Sequence, residues 1–463
     1  MTVITGILAF ILILGAAVVI HEFGHFIVAK LFKIRVETFS VGFGPRLFGK
    51  KWGHTDYRVS AIPLGGYVKL GGDESNAPLE GEGATDIPPQ EMFNLRPRWQ
   101  RILVALAGPV MNMITALMIP LVGAMMYGVP VTPAPVVSYA PAGGAAQKAG
   151  LQPGDRVVAF NGTENPDWDT IRGDALLAHG QSLSIVVDRN GQRIPLTITP
   201  STRTDQGETF GDLDLVPDNG GYPVVIRDVS KDGPAAEAGI TVGDRVLAVN
   251  GQTVRSAEHI TNFVREHRSQ PITLTIERNG EKKDITATPR RLDGIERLGI
   301  GPADDFPLQR TSLGAAAAYA LRTNLQILRL TGKALGQVFT GQRSPQDTFS
   351  GPVGIYNVAK TSVERYGWGG FFTTLAFLSL NLGVFNLLPI PVLDGGAIFL
   401  LLIEGLLAMV GLKLSMRVRD RIQQVGFVMV LLLMVFVITN DLLKQASIWR
   451  GGSTPPAAST PAK

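Results

Sequence analysis

The sequence predicts a polytopic α-helical membrane protein of about four transmembrane helices, joined to two α+β domains and a membrane-associated β-hairpin. Three observations predict this class. Four apolar runs are long enough to cross a bilayer. A block of sequence between the second and third runs occurs twice. Lys and Arg gather at one end of the first, second and fourth runs. The 463 residues exceed one ordinary domain, and 45% of them are hydrophobic, with a mean hydropathy of +0.18. There is no cysteine, so disulfides are excluded and any metal must be held by His and carboxylate. The net charge of +4 sits mostly beside the apolar runs, which leaves no patch for nucleic acid.

Taken in order, residues 1–30 form the first span, built on the apolar run 4–29. That run is longer than a signal peptide and is read as a retained helix. Residues 31–100 form a cytoplasmic or re-entrant β-loop region, and 101–127 the second span. Two α+β domains follow at 128–217 and 218–305, then an amphipathic segment at 306–369. Within that segment, helix 311–340 carries Arg322, Arg329 and Lys333 on one face, which suits an interfacial helix. The third span lies in 370–396, its apolar part at 371–388. A shorter apolar run with Glu404 falls in the cytoplasmic-side segment 397–423, and the fourth span in 424–445. The tail from 446, rich in Pro, Ser and Thr beyond Gly451, is expected to be disordered.

The flanking charges orient the spans. Lys30, Lys33, Arg35, Arg46, Lys50 and Lys51 follow the first, and Arg96, Arg98 and Arg101 precede the second. Lys413, Arg417, Arg419 and Arg421 precede the fourth. These segments are expected in the cytoplasm, which leaves both termini and the duplicated domains outside.

The duplication is specific. Ala145 to Val157 continues to Asn161-Gly162, and Ala235 to Val246 continues to Asn250-Gly251. Each copy predicts a short helix ending at glycine, a Gly-Asp turn, a strand, an Asn-Gly turn, and a later strand that enters Arg-Asn-Gly. This resembles the bacterial PDZ domain in tandem. PDZ domains capture a C-terminal carboxylate beside an x-apolar-Gly-apolar strand. Gly211-Asp212-Leu213-Asp214-Leu215 breaks that pattern, and Leu298-Gly299-Ile300 fits it only at the end of the second copy.

The chemistry sits in the first span. His21-Glu22-Phe23-Gly24-His25 places two imidazoles at i and i+4 on one helical face, where both can bind one zinc ion. Glu22 then stands beside the metal as general base. Three ionisable side chains inside an apolar span are costly unless they have work to do. A hydrolytic zinc needs a third protein ligand and an open position. Asp394, after the two helix-breaking prolines Pro389 and Pro391, is the candidate; the alternative is a helix cap before Gly395.

With these residues the chain resembles the intramembrane site-2 zinc metalloproteases of the RseP type. The resemblance rests on HEFGH, on Ala107-Gly108-Pro109-Val110-Met111-Asn112, on Ser350 to Gly354, on Asn386 to Pro391 and on Leu393-Asp394-Gly395-Gly396. It implies Zn2+ bound by His21, His25 and Asp394, with Glu22 as base. Asn381 and Asn386, with Pro389 and Pro391, would border the substrate. Each asparagine can also be read as glue between helices. It further implies a bacterial cytoplasmic-membrane enzyme of regulated intramembrane proteolysis. The substrate would be a single-span anti-sigma-factor-type protein, already shortened by an upstream site-1 protease, or a remnant signal peptide. The PDZ pair would then stand outside as a size filter. Residues 57–70, with a turn at Pro63-Leu64-Gly65-Gly66, are read as a hairpin whose Gly65, Gly66 and Tyr67 receive the unwound substrate as an added strand. The alternatives are a non-catalytic PDZ scaffold or chaperone with a residual zinc site, against which an intact Glu22 speaks, and a metal transporter, which would give no reason for two PDZ copies.

Overall fold

A computed structural model of the chain describes residues 3–73, 86–178, 180–205, 208–292, 295–412 and 415–449. Lys413 and the tail from Gly451 lie outside these residues, as does the side chain of Arg417. Two compact units are found. One combines residues 1–126, 311–328 and 349–441; the other combines 127–310, 329–348 and 442–463.

Among the described residues the six long helices are α1 (Val3–Leu31), α2 (Arg98–Tyr127), α3 (Leu313–Phe339), α4 (Pro352–Asn386), α5 (Asp394–Met409) and α6 (Met416–Trp449). Among the described residues, four stretches, 4–31, 98–127, 345–386 and 421–446, are long and apolar enough to cross a membrane. α1 has 29 residues and so extends about 44 Å, more than a bilayer core of about 30 Å. It packs on α4 in the first unit, where Ile13, Ala17 and Ala359 are fully buried. α2 contains Pro109 and Pro120, which neighbouring helices accommodate at membrane depth.

The third span differs from its sequence reading. α4 begins at Pro352, well before residue 371, because Lys360, Glu364 and Arg365 depress hydropathy without ending the helix. Inside it Gly367 adopts φ 56 and ψ −130, and the helix kinks there. A Cβ at Gly370 would lie 1.9 Å from the Ser362 carbonyl oxygen, so the bend needs glycine there too. The next apolar run is α5, whose 16 residues span about 24 Å, less than a bilayer core.

The β region also departs from the reading. Strands β1 (Val36–Trp52) and β2 (Thr55–Leu70) each bend into two arms. Residues 55–59 pair with both 48–52 and 38–41, and 66–70 pair with the other side of 36–41. The two arms of the expected 57–70 hairpin therefore never pair with each other; the first arm of β1 lies between them. Phe39 faces Tyr57 on one side and Val68 on the other. The Pro63–Gly66 stretch is a crossover that rests on α1, with the Pro63 carbonyl 3.1 Å from a Cβ built at Gly15. Local turn chemistry was present, but the bulges in β1 supplied a competing partner.

In the second unit the duplicated sequence folds twice in the same way. Strand order is 163–164, 156–160, 183–189, 192–198 in the first copy. The second copy has 252–253, 245–249, 272–278, 281–287 and adds 224–229 and 300–304 beyond 245–249 and 252–253. Even the bulges coincide, between Val157 and Ala159 and between Val246 and Ala248. Arg189 grips fully buried Asp155 through two bonds of 2.7 and 2.8 Å and donates to the Gly150 carbonyl at 2.8 Å. Arg278 repeats this on Asp244 and Gly239. Each copy buries its own core, around Phe160 and Ile171 in one and Ile226 and Leu274 in the other.

The cations of α3 meet a different fate from the one expected of an interfacial helix. Arg329 and Lys333 bind the fully buried carboxylate of Asp174 at 2.6 and 3.2 Å. Two of the three cations on that face thus neutralise a carboxylate that would otherwise be buried unpaired.

Candidate metal centre

His21 and His25 lie one turn apart near the C-terminal end of α1, inside an apolar helix. Their Nε2 atoms are 3.2 Å apart. Asp394, first residue of α5, turns its carboxylate onto both: Oδ2 lies 2.9 Å from His21 Nε2 and Oδ1 lies 3.4 Å from His25 Nε2. α5 has no side-chain cap at its start, so the cap alternative for Asp394 is not the geometry found. All three donors fall within 4.8 Å of one another. Two ligands about 2.1 Å from a tetrahedral zinc ion stand roughly 3.4 Å apart, so the donor set fits zinc in both chemistry and spacing.

The turn that delivers Asp394 is built from the motif around it. Val392 holds a positive φ of 88, a region unfavourable to a β-branched residue. A Cβ on Gly395 would lie 2.2 Å from the Leu387 carbonyl oxygen, and one on Gly396 2.2 Å from that of Ile390. Both glycines let the turn containing Pro389 and Pro391 fold back over the first turn of α5.

Small residues also bring α1 and α2 together. A Cβ on Gly24 would lie 2.3 Å from the Ala107 carbonyl oxygen. A Cβ on Gly108 would lie 2.4 Å from His25 Nε2 and 2.8 Å from His21 Cε1. The backbone of Gly108 therefore forms a wall of the centre. His25 donates from Nδ1 to the Val104 carbonyl at 2.7 Å, which leaves Nε2 unprotonated for a metal. Sequence reasoning gave Gly24, Val104 and Gly108 no role. The signal available was the small residue on each helix, which permits close helix approach.

Glu22 lies beside the three donors and interacts electrostatically with each. Its carboxylate accepts a hydrogen bond from the Val68 backbone N–H. The 66–70 arm of β2 thus runs past Glu22. Gly66 approaches the Ser40 carbonyl, Gly65 lies against Phe43 and Val18, and Tyr67 stacks on Phe43 at 6.1 Å. Asn386 reaches the centre, its Nδ2 3.2 Å from His21 Nε2. Asn381 does not join that cluster by this bond: its amide donates to the Phe377 carbonyl of its own helix at 2.9 Å.

Comparison with known proteins adds a second line of observation. The model of the family described as Peptidase family M50 matches residues 9–433. The "Regulator of sigma-E protease RseP" of Salmonella typhimurium is 32% identical over 459 residues, covering 95% of this chain and 99% of that one. The protein of the same name in Escherichia coli is 33% identical, covering 94% and 97%. The "Regulator of sigma E protease" of Haemophilus influenzae is 32% identical, covering 94% and 98%. Among solved structures, the PDZ domain of an SdrC-like protein from Listeria monocytogenes matches 17% of this chain and 85% of its own length at 16% identity, with a TM-score of 0.16.

Proposed function

The chain belongs to peptidase family M50 and is a multi-pass membrane zinc metalloprotease, and on that premise we propose that it cleaves peptide bonds inside the transmembrane segment of single-span proteins. The observation that carries this reading is the convergence of His21, His25 and Asp394 beside Glu22, all reached from helices apolar enough to cross a membrane. In this reading the two histidines and Asp394 hold the metal and Glu22 is the base. Zinc, when bound, acidifies water and polarises a carbonyl. Glu22 takes the proton of the attacking water and passes it to the departing amine. Asn386, beside His21, offers amide groups to a peptide unit that has left its helix.

A helical substrate must unwind before attack, and its freed backbone groups need partners. The 66–70 arm of β2 suits that role, because its Val68 N–H already faces Glu22. Gly65, Gly66 and Tyr67 belong to this docking edge. Pro389 and Pro391 would keep the opposite approach non-helical, and Asn381 would serve the substrate only after leaving Phe377.

The relatives' names point to the regulation of a sigma factor; the substrate in this reading is of the anti-sigma-factor type, trimmed beforehand by another protease, with remnant signal peptides as a second class. The basic flanks favour a bacterial cytoplasmic membrane with both termini and the duplicated domains on the outer side. We read those domains as a PDZ pair that excludes untrimmed substrates. Asp214 supports exclusion over carboxylate capture in the first copy. Its own carboxylate accepts from the Ala145 N–H at 3.2 Å and from Ser201, and is paired with Arg203. The second copy has Gly299 in the equivalent place, since Ala146 bonds the Leu213 carbonyl as Ala235 bonds that of Leu298.

Glu22→Gln tests the mechanism. The purified variant should hold as much zinc as the wild type and cut a single-span substrate about 100- to 10,000-fold more slowly. Retained cleavage would remove Glu22 from the reaction.

A further inference from the structure

Resting on the zinc reading above, we infer that Asn112 of α2 is a positioning residue that fixes the tautomer of His21 through its side-chain carbonyl. Asn112 is fully buried, and its Nδ2 stands 3.3 Å from His21 Nδ1. Its Oδ1 is buried without a hydrogen-bond partner. His21 Nε2 faces Asp394 and His25, so it must present a lone pair to a metal, and the single proton of the neutral ring must sit on Nδ1. A protonated Nδ1 opposite an amide NH2 sets donor against donor inside the protein. Rotating the amide by half a turn exchanges two atoms of nearly equal shape and resolves this. Oδ1 then accepts from His21 Nδ1–H, and the orphaned oxygen gains its partner.

The pairing mirrors the one on the other ligand. His25 Nδ1 donates to the Val104 carbonyl from the same helix. α2 therefore supplies an acceptor to each imidazole, one from backbone and one from a side chain, with Gly108 between them. Such partners orient a ligand and raise its basicity, and their loss typically lowers metal affinity about 10- to 100-fold.

The measurement is zinc affinity of the full-length protein in detergent, by competition with a chelator, together with the absorption spectrum of the cobalt-substituted form. Asn112→Leu has similar size and no acceptor; it should bind zinc about 10- to 100-fold more weakly and shift the cobalt bands. Asn112→Asp has oxygens only; it should keep affinity within a few-fold of wild type. Wild-type affinity in Asn112→Leu would overturn the inference, as would loss of zinc in Asn112→Asp, because the NH2 group would then be the working end. The second arm stands even if Asn112→Leu does not fold. A wild type that binds no zinc would instead overturn the metalloprotease reading on which the inference rests.

Discussion

At the scale of single residues the centre depends as much on an absent side chain as on the ligands. Gly108 lies where any Cβ would touch both imidazoles. Gly108→Val should displace the histidines by about 1 Å, leave purified protein with less than one zinc per chain, and lower cleavage about 100-fold. Zinc content by elemental analysis checks this; a fully loaded variant would show that the helices part without disturbing the ligands. The candidate ligands His21 and His25 are legible because residues four apart share a helical face by spacing alone, with Glu22 in the same turn. Asp394 was legible as an acidic residue after two prolines beside an apolar run. Gly108 was not, since a glycine in a helix states no partner. Asn112 is marked in the sequence by its polarity in an apolar stretch and by its place at the end of the 107–112 motif, neither of which names its partner.

At the scale of elements, the two copies in the second unit carry the same internal clamp. Burial works against ionising Asp155, but Arg189 and the Gln152 N–H together hold its carboxyl below the usual carboxylate range. Arg278 and the Thr241 N–H do the same for Asp244. A group whose folded value is depressed contributes stability above its unfolded value of about 4 and loses it as pH falls through the folded value. The sheets should therefore loosen first below about pH 4, seen as faster amide exchange in strands 156–160 and 245–249. Asp155→Asn should cost about 2 kcal/mol at neutral pH and blunt that acid sensitivity in the first copy. A variant whose exchange matches that of the wild type at both pH values would refute the role of the clamp. The sequence carried this motif in duplicate, down to the Arg-Asn-Gly after each later strand. The hairpin at 57–70 was misjudged by the same kind of reasoning. Its turn residues fit, yet strand pairing is settled by whichever neighbour is near, and that neighbour was β1.

At the scale of the whole molecule, the proposed filter makes a claim about substrate size. Deleting residues 136–303 should let the enzyme cut single-span substrates that still carry their outer domain, while trimmed substrates are cut at a rate within a few-fold of the intact enzyme. Substrate length against cleavage, followed by gel shift in membranes, decides it; untrimmed substrates that stay uncut would end the filter idea. The same deletion leaves α1, α2, α4 and α5, which carry His21, Glu22, His25, Asn112, Asn386 and Asp394.

The sequence by itself determined the apolar helices, the duplication and the shared helical face of His21 and His25, because each follows from composition or from spacing within one element. Hydropathy needs no partner, and two residues four apart on a helix meet whatever surrounds them. Tertiary structure alone decided that the Asp394 carboxylate turns onto the imidazoles, that Gly108 and Asn112 belong to the centre, and that 66–70 pairs with β1. It also decided that Arg329 and Lys333 serve Asp174. These are contacts between residues far apart in the chain, and the geometry that joins them exists only once the helices have packed.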